Sequence, residues 1–452
     1  MRPIARTLQL MACLGYRRGM RDTGDVGNAM AAEDGAQPLA PSGQDWRLPF
    51  TVFWVTQLVE TIGVSQVFAL LPTALREMGV PEADRIPFVG LFSALMFVLG
   101  LPLVPLWGVW ADKYSRKLVI VRSAIVEAVV FGLAALATQP WQLALAVMLI
   151  GLQLGNTGVM LAAIRDIAPR QRLGTVIALF GAAGPIGFAL GPAMAGVLID
   201  GLGWSVSGVF ALSAALSVVT ALLVGLGTRE IRPEVIPKGG VIRLAFGAVA
   251  GVLRDPDVRR LFTVYGVVFL ANQISRPYTP LLAEDLVGIG AGLAAAIGLV
   301  MGVAALVGAV ASPAGGWLGD RLGFRRVLVW SLLAGGIASA LMPAMPSLAL
   351  LAGAATVLGA AFATTGAMVF ALLAIEVPPE RRSATLNLVY LPLYISGIIG
   401  PAIGAAVAAV AGPGAAFVAG AVVFIAGAAA VALRGRAGAV RPTSEVSPGS
   451  AE

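Results

Sequence analysis

Apolar runs long enough to cross a lipid bilayer recur along the chain. The segments from Val89 to Leu106, Leu118 to Ala137 and Trp141 to Ile164 each contain at most two charged residues. A helix needs roughly 20 apolar residues to cross about 30 Å of hydrocarbon, whereas a membrane strand needs about ten that alternate in polarity. These runs do not alternate. The sequence therefore predicts an all-α polytopic membrane protein.

The composition agrees with a membrane-embedded chain and argues against several functions. Hydrophobic residues make up 58% of the sequence and charged residues 12%, about half the charged fraction of a soluble domain. The chain has one cysteine, Cys13, and no histidine, which leaves no set of thiolate or imidazole metal ligands. It also lacks the phosphate-binding Gly-x-x-x-x-Gly-Lys loop. We therefore expect no metal, no cofactor, no nucleic-acid partner and no enzymatic activity.

The distribution of basic residues predicts the orientation of the spans. Bounding the apolar runs by charges, prolines and glycines gives twelve predicted transmembrane helices. All but three of the 31 Lys and Arg residues then fall on one side, the exceptions being Arg76, Arg85 and Arg276. Basic loops stay in the cytoplasm. We therefore expect a multi-pass protein of the inner (plasma) membrane with both termini in the cytoplasm.

The longest internal loop, 227–257, divides the spans into two groups of six. It contains prolines, a Gly-Gly pair and an amphipathic stretch over 241–253, which predicts a linker lying on the membrane surface. The spans predicted as single helices include 87–107, 141–164 and 258–283. The predicted divisions are an N-terminal cytoplasmic tail expected to be disordered (1–47), an N-terminal six-helix bundle (48–226), the cytoplasmic linker (227–257), a C-terminal six-helix bundle (258–433) and a C-terminal cytoplasmic tail (434–452).

Landmarks in the first six spans recur in the last six at an offset of 208 or 209 positions. Each pair alone has a simple explanation, but their shared spacing does not. Internal repeats of this kind are typical of transporters that bind their cargo between two related halves. The matched pairs are Pro72 and Pro280, Asp112 and Asp320, Arg172 and Arg381, and the Gly-Pro steps at 191–192 and 400–401.

The segments around the two aspartates resemble the signature loops of the major facilitator superfamily. The first copy supplies Gly108, Asp112 and Arg116, and the second supplies Asp320 and Arg321. The resemblance covers nearly the whole chain between the tails and implies twelve helices in two pseudo-symmetric six-helix bundles. It also implies a conformational latch, in which the aspartate pairs with basic neighbours or caps a helix. A basic loop that only fixes topology is the alternative.

The fifth predicted span contains closely spaced small residues. Gly187, Gly191, Pro192 and Gly196 give a flat ridge and a bend, which allow another helix to approach closely. This segment resembles the antiporter motif of proton-coupled exporters in the same superfamily; generic small-residue packing is the other interpretation. The arginine that such antiporters often carry in their fourth helix would fall at Gly151, so the charge partners here are expected to differ.

Two carboxylates lie near the middle of predicted spans. Glu60 shares a helical face with Gln57 in the first span, and the first helix of each half lines the central cavity in the resembling family. An ionisable group at this depth is costly and is a functional candidate by default. We predict that Glu60 carries the coupled proton, with a satisfied structural Glu as the alternative. Glu127 in the third span is a second candidate, for which a structural role is at least as well supported.

The predicted substrate cavity has few charges and several polar or aromatic side chains. Arg276 is open to three interpretations: it attracts an anionic substrate, balances Glu60, or extends outward to the membrane surface. A cavity of this composition favours lipophilic or amphipathic solutes over sugars, which need many hydrogen-bond partners. The cavity candidates are Gln57, Gln153, Asn156, Asn272, Arg276, Asn387, Tyr390 and Tyr394.

These features predict a secondary active transporter. The leading hypothesis is proton-coupled efflux of small lipophilic or amphipathic compounds by alternating access, as in the drug–proton antiporter branch that the chain resembles. A metabolite or nutrient importer of the same superfamily is the alternative. A membrane enzyme or sensor is disfavoured because no catalytic constellation is present. The expected partners are a small-molecule substrate, protons and the lipid bilayer, and the chain is expected to be a monomer.

Overall fold

The computed structural model describes residues 46–233, 236–254, 256–376 and 391–438. Within these ranges the chain forms helices and no strands, as the apolar runs predict. The N-terminal tail up to residue 45, and Arg381, Asn387 and Tyr390 of the predictions above, lie outside the described residues.

The first half begins at Arg47 and ends at Gly227. Several predicted spans begin or end where the sequence places charges or glycines, because charged side chains mark the edges of the hydrocarbon region. In chain order its helices are α1 Arg47–Glu77, α2 Glu82–Val98, α3 Gly100–Lys113, α4 Arg116–Leu136, α5 Pro140–Leu149, α6 Asn156–Ile167, α7 Leu173–Gly196 and α8 Val206–Gly227.

The linker forms an amphipathic helix, α9, at Val241–Arg254, where the sequence predicts one. The Lys113 ammonium at the end of α3 donates to the Gly239 carbonyl just before it. The second half contains α10 Pro256–Ser275, α11 Thr279–Val287, α12 Leu293–Leu322, α13 Phe324–Leu341, α14 Leu348–Glu376, α15 Leu391–Ala411 and α16 Pro413–Gly438.

Eleven stretches of the described helices, some of them continued across a short break, are long and apolar enough to cross a membrane. The predicted span over 258–283 is not among them, and a 3₁₀ turn at Arg276–Tyr278 divides it into α10 and α11. Pro277 and Pro280 have no backbone N–H to donate at this point. The segment begins after the linker and ends beside Arg76, at the far end of α1. It therefore completes a twelfth crossing as a broken helix.

Two further spans that the sequence presents as single helices are interrupted. The second breaks at Leu99, between α2 and α3, just before Pro102. The fourth breaks between α5 and α6, where Gly155 has a φ of 99°. The two breaks touch, since a Cβ atom on Gly151 would lie 2.6 Å from the Gly100 nitrogen. Irregular backbone at membrane depth is tolerated where protein buries it.

The two halves pack closely toward the face opposite the basic loops. A Cβ atom on Gly298 of α12 would lie 2.7 Å from the Pro192 carbonyl of α7. One on Gly397 of α15 would lie 2.5 Å from the Phe97 ring of α2. At the start of α12, the Asp200 carboxylate accepts a hydrogen bond from the Ala295 backbone N–H at 2.6 Å. The described contacts thus close the interface between the halves at this end.

Candidate proton and substrate site

Glu60 is buried in the middle of α1, where its side chain is 6% exposed. The Asn156 side-chain amide donates to its Oε2 atom at 2.9 Å. Asn156 is the first residue of α6, so the break in the fourth span places this amide at mid-membrane. Gln153, in the same break, is buried close to Glu60. The predicted residues Glu60, Gln153 and Asn156 therefore meet in one site.

Glu127 lies beside Glu60 rather than on an outer surface. It is 2% exposed on α4, and its Oε1 atom lies 3.1 Å from where a Cβ on Gly63 of α1 would stand. The two carboxylates are close enough to interact electrostatically. The Glu127 Oε1 atom has no hydrogen-bond partner among the described residues. The structure thus pairs two carboxylates that the sequence analysis treated separately.

Arg122 of α4 supplies a positive charge next to this pair. Its guanidinium donates to the Leu152 carbonyl at 2.7 Å and to the Ser123 hydroxyl at 2.8 Å. Its Cζ atom lies 3.7 Å from the centre of the Trp107 ring, and it is near enough to Glu60 for Coulomb attraction. Its position near the start of the apolar run from Leu118 to Ala137 gave no sign of this contact.

The contact between the two breaks leaves no room for an arginine side chain at position 151. The Cβ atom of any side chain at Gly151 would lie 2.6 Å from the Gly100 nitrogen and 2.9 Å from Leu99 Cβ. Backbone would have to move to accept it. The cation near Glu60 therefore comes from Arg122, on a neighbouring helix.

Several buried polar atoms around Glu60 have no hydrogen-bond partner among the described residues. They are Gln57 Oε1, both amide atoms of Gln153, Asn156 Oδ1 and Glu127 Oε1. Buried polar groups are normally satisfied, and concentrated exceptions are typical of functional sites. We call Gln57, Glu60, Glu127, Gln153 and Asn156 the polar cluster.

Arg276 lies apart from the polar cluster, between aromatic rings of the other half. Its Cζ atom is 4.2 Å from the centre of Phe68 on α1 and 4.6 Å from that of Phe188 on α7. Phe68 is eight residues beyond Glu60, about 12 Å along the helix axis. Asn272, one turn earlier than Arg276, is buried.

Of the three predicted cavity residues on the eleventh span, the structure describes one. Tyr394 of α15 is buried, and its ring centre lies 6.1 Å from that of Phe97 on α2. It therefore sits in the closed interface between the halves. Asn387 and Tyr390 lie outside the described residues.

An ion triad closes the end of the interface beyond Arg276. Glu284 of α11 bridges two arginines of the first half, 3.1 Å from Arg76 Nη1 and 3.1 Å from Arg85 Nη2. Arg76, Arg85 and Arg276 are the three basic residues that the charge count left off the basic side. Two of these exceptions thus have one shared partner, which the sequence analysis did not identify. We call Glu284, Arg76 and Arg85 the Glu284 triad.

The first signature loop forms a network with the linker. Arg116 is buried and pairs with Asp112 at 2.9 Å and with Asp166, at the end of α6, at 2.6 Å. The Glu230 carboxylate accepts the Arg116 backbone N–H at 2.9 Å and the Ser115 hydroxyl. Glu230 thereby binds the N-terminus of α4, where a carboxylate is favourable. Asp166 and Glu230 were missed because their positions in sequence give no sign of this contact.

The two copies of the signature differ. In the first, Asp112 pairs with Arg116, while Gly108 has open space around it, as does the matching Gly316. In the second, Asp320 is exposed and forms no ion pair within the described part of the chain. Arg321 stacks on Trp317 with its Cζ atom 4.0 Å from the ring centre. The sequence symmetry is therefore not matched by symmetric contacts.

The small residues of α7 contact both halves. A Cβ on Gly187 would lie 2.8 Å from the Leu58 carbonyl of α1, and one on Gly191 would lie 2.5 Å from the Ile62 carbonyl. One on Gly196 would lie 2.8 Å from Ala295 Cα of α12. Pro192 packs at the same interface, whereas Gly184 has open space. Helix α7 thus joins α1 on one side and α12 on the other.

The helical bundle, its two halves and the buried charges between them define a polytopic transporter. The sequence profile of the Major Facilitator Superfamily matches residues 53–297 and again 261–450. These matches cover most of the chain, which belongs to this family. Members of the family move small molecules across membranes, and this chain is a multi-pass membrane protein.

Known relatives agree with this assignment. The "Multidrug resistance protein MdtG" of Citrobacter koseri is 29% identical over 291 residues, 64% of this chain and 70% of that protein. A bacterial homologue of the human lysosomal transporter Spinster has a TM-score of 0.72 at 17% identity, over 87% of this chain and 98% of its own. The human organic anion transporter MFSD10 (TETRAN) has a TM-score of 0.65 at 18% identity, over 86% and 100%. At these identities the two structures show a shared fold and no more.

Proposed function

We propose that this protein is a proton-coupled exporter of small lipophilic or amphipathic compounds that works by alternating access. The observation that carries the proposal is the buried pair of Glu60 and Glu127, with Asn156 hydrogen-bonded to Glu60 and Arg122 nearby. Burial opposes a carboxylate charge, whereas an amide donor and a guanidinium favour it. The surroundings therefore stabilise both the neutral and the ionised carboxylate, as a proton carrier requires.

Efflux is the proposed direction because the relatives that match over most of their length carry the name multidrug resistance protein. The few charges of the cavity fit apolar cargo. In the proposed orientation the basic loops and both termini face the cytoplasm, and a single chain works in the inner membrane. The Glu284 triad then closes the outer end.

Transport direction and coupling are tested together in membrane vesicles. Everted vesicles that contain the protein are energised so that their lumen becomes acidic, and N-phenyl-naphthylamine uptake is followed by fluorescence. We expect N-phenyl-naphthylamine to accumulate against its gradient and an uncoupler to abolish this accumulation. We expect no accumulation in right-side-out vesicles, in which the protein has the opposite orientation. Accumulation only in right-side-out vesicles would support the importer alternative instead.

We also propose that the Asp112–Arg116–Asp166 network is a conformational latch on the inner face. It joins the loop between α3 and α4 to the end of α6. The same loop contacts the linker through Glu230 and through Lys117, which donates to the Thr228 carbonyl at 2.8 Å. Contacts of this kind are charge-assisted and can form in one conformation and break in another.

Asp112→Asn is expected to lower transport at least about tenfold, the size of one lost charge-assisted contact, while membrane abundance stays near that of wild type. Arg116 keeps Asp166 in this variant, so folding has a remaining ion pair. Efflux rate and abundance are measured in the same vesicles. Asp84→Asn, an exposed aspartate at the start of α2, is the matched control. Wild-type turnover in well-expressed Asp112→Asn would leave the loop with a topological role only.

A further inference from the structure

Arg276 is a cation without an anionic partner in the part of the chain that the structure describes. Arg76 and Arg85, the other two basic residues that lie away from the basic side, both pair with Glu284. The Arg276 guanidinium forms no ion pair or hydrogen bond with a described residue, and the residue is partly exposed. A charge inside a membrane protein normally has a counter-charge or a functional ligand.

The aromatic neighbours account for only part of this charge. Phe68 and Phe188 lie 4.2 and 4.6 Å from the guanidinium carbon, and such contacts stabilise a cation. They accept none of the five N–H groups of the guanidinium as conventional hydrogen bonds. Both rings belong to the first half, so the contact fixes Arg276 at the interface between the halves. The position also argues against an arginine that extends out to the membrane surface.

Balancing Glu60 is not the role of Arg276 either. The polar cluster already has Arg122 as its nearby cation. The level of Phe68, where Arg276 lies, is about 12 Å further along α1 than Glu60. Of the three interpretations left open by the sequence, attraction of an anion is the one that remains.

An aromatic surface lies on α10, which precedes Arg276 in the same span, toward the basic side. Phe269 precedes Arg276 by seven residues, two helical turns or about 10 Å. Its ring packs edge-on against Tyr265 at 4.5 Å and against Phe362 of α14 at 5.1 Å between ring centres. Asn272 lies between the aromatic surface and Arg276 in sequence. One end of this helix segment therefore presents a cation and the other presents aromatic rings.

We infer that the compounds bound by this transporter include amphipathic organic anions, with Arg276 binding the acidic group and Phe269 and Phe362 contacting the apolar part. The inference rests on the proposed function, since it names the substrate class of that transporter. Arginine suits this role because its planar fork donates two parallel hydrogen bonds to a carboxylate, sulfonate or phosphonate.

A matched pair of probes tests the inference by binding alone. Anilinonaphthalene sulfonate is an amphipathic anion, and N-phenyl-naphthylamine has the same ring system without the acidic group. Their affinities for the protein in lipid nanodiscs are measured by fluorescence titration, with empty nanodiscs subtracted. The wild-type protein is expected to bind the sulfonate at least about tenfold more tightly, the size of a hydrogen bond to a charged group. Equal affinities, or a preference for the uncharged probe, would overturn the inference.

Variants of Arg276 assign the preference to this side chain. Arg276→Gln is expected to remove the preference for the sulfonate while binding of N-phenyl-naphthylamine changes less than about twofold. Arg276→Lys keeps the charge but loses the planar fork, so an intermediate preference is expected. Arg326→Gln, at an exposed arginine on the basic side, is the control and should match wild type. An unchanged sulfonate preference in Arg276→Gln contradicts the assignment, as does equal loss in both Arg276 variants.

The binding test and the function test fail separately. Binding in nanodiscs needs no proton gradient and has no direction, so it is independent of coupling and efflux. Anion preference without gradient-driven accumulation of either probe would reject the proposed exporter and keep the binding site. Gradient-driven export of N-phenyl-naphthylamine without anion preference would reject the binding site and keep the exporter. If Arg276→Gln does not fold, the wild-type comparison of the two probes decides alone.

Discussion

Glu60→Gln is expected to abolish accumulation of substrate driven by a pH difference. Glutamine keeps the size of the side chain and can still hydrogen-bond Asn156, which lies 2.9 Å from Glu60 Oε2, but it cannot bind and release a proton. The accumulation ratio in energised everted vesicles should fall to the equilibrium value. Exchange of labelled substrate between equal pools should survive in part, because it needs no net proton movement.

Glu127→Gln distinguishes the two buried carboxylates. The proposal assigns the proton to Glu60, so Glu127→Gln is expected to change folding or abundance more than coupling. The control is Glu77→Gln, at the exposed end of α1, the helix that carries Glu60. If Glu60→Gln still drives uphill transport and Glu127→Gln does not, Glu127 carries the proton. If neither change matters, coupling through a membrane carboxylate is rejected, and the importer alternative gains.

Glu284→Gln is expected to open the outer end of the interface. The substitution removes the shared partner of Arg76 and Arg85 and leaves two neighbouring cations, one of them only 7% exposed at its side chain. Breaking a buried pair costs about 3–5 kcal/mol, and the 23% exposure of the Arg76 side chain favours the lower end of that range. About 3 kcal/mol shifts the ratio of closed to open molecules roughly a hundredfold.

Spin labels report this opening directly. The sequence has a single cysteine, so Cys13→Ser provides a cysteine-free background. Thr138 and Ser347 are exposed at the outer end, opposite the basic loops, and one lies in each half. Cysteines introduced at these two positions are spin-labelled, and the distance between the labels is measured by pulsed electron resonance in nanodiscs. The distance distribution should move to longer values in Glu284→Gln. Glu82→Gln, an exposed acidic residue at the same end, should keep the wild-type distribution. An unchanged distribution in Glu284→Gln would mean that close helix packing alone closes this end.

Much of the fold could be predicted because it follows from burial in lipid. Helices are required where backbone groups cannot reach water, so apolar runs predicted the helices of both halves. The breaks at Leu99, at residues 150–155 and at Arg276–Tyr278 were not predicted. A proline or glycine in a membrane span can be tolerated without a break, since neighbouring helices satisfy the freed backbone groups. Whether they do depends on contacts such as Gly100 against Gly151.

The candidate site was predicted in part for a similar reason. A charge at mid-span is visible in the sequence, which is why Glu60, Glu127 and Arg276 were recognised. Their neighbours come from other helices and have no fixed distance along the chain. Glu284 looked like an ordinary residue at the end of a span, although it contacts two arginines more than 190 positions away.

The sequence by itself determined the class of protein, the helical spans, the duplication and the buried charges, because hydrophobicity and charge act locally and can be read residue by residue. Only the tertiary structure decided the pairing. It placed Glu127 beside Glu60, supplied Arg122 in place of an arginine that Gly151 cannot accommodate, and set Arg276 between Phe68 and Phe188. The physical reason is that these contacts depend on how closely helices approach one another, which small residues such as Gly100 and Gly191 allow only once the bundle has assembled.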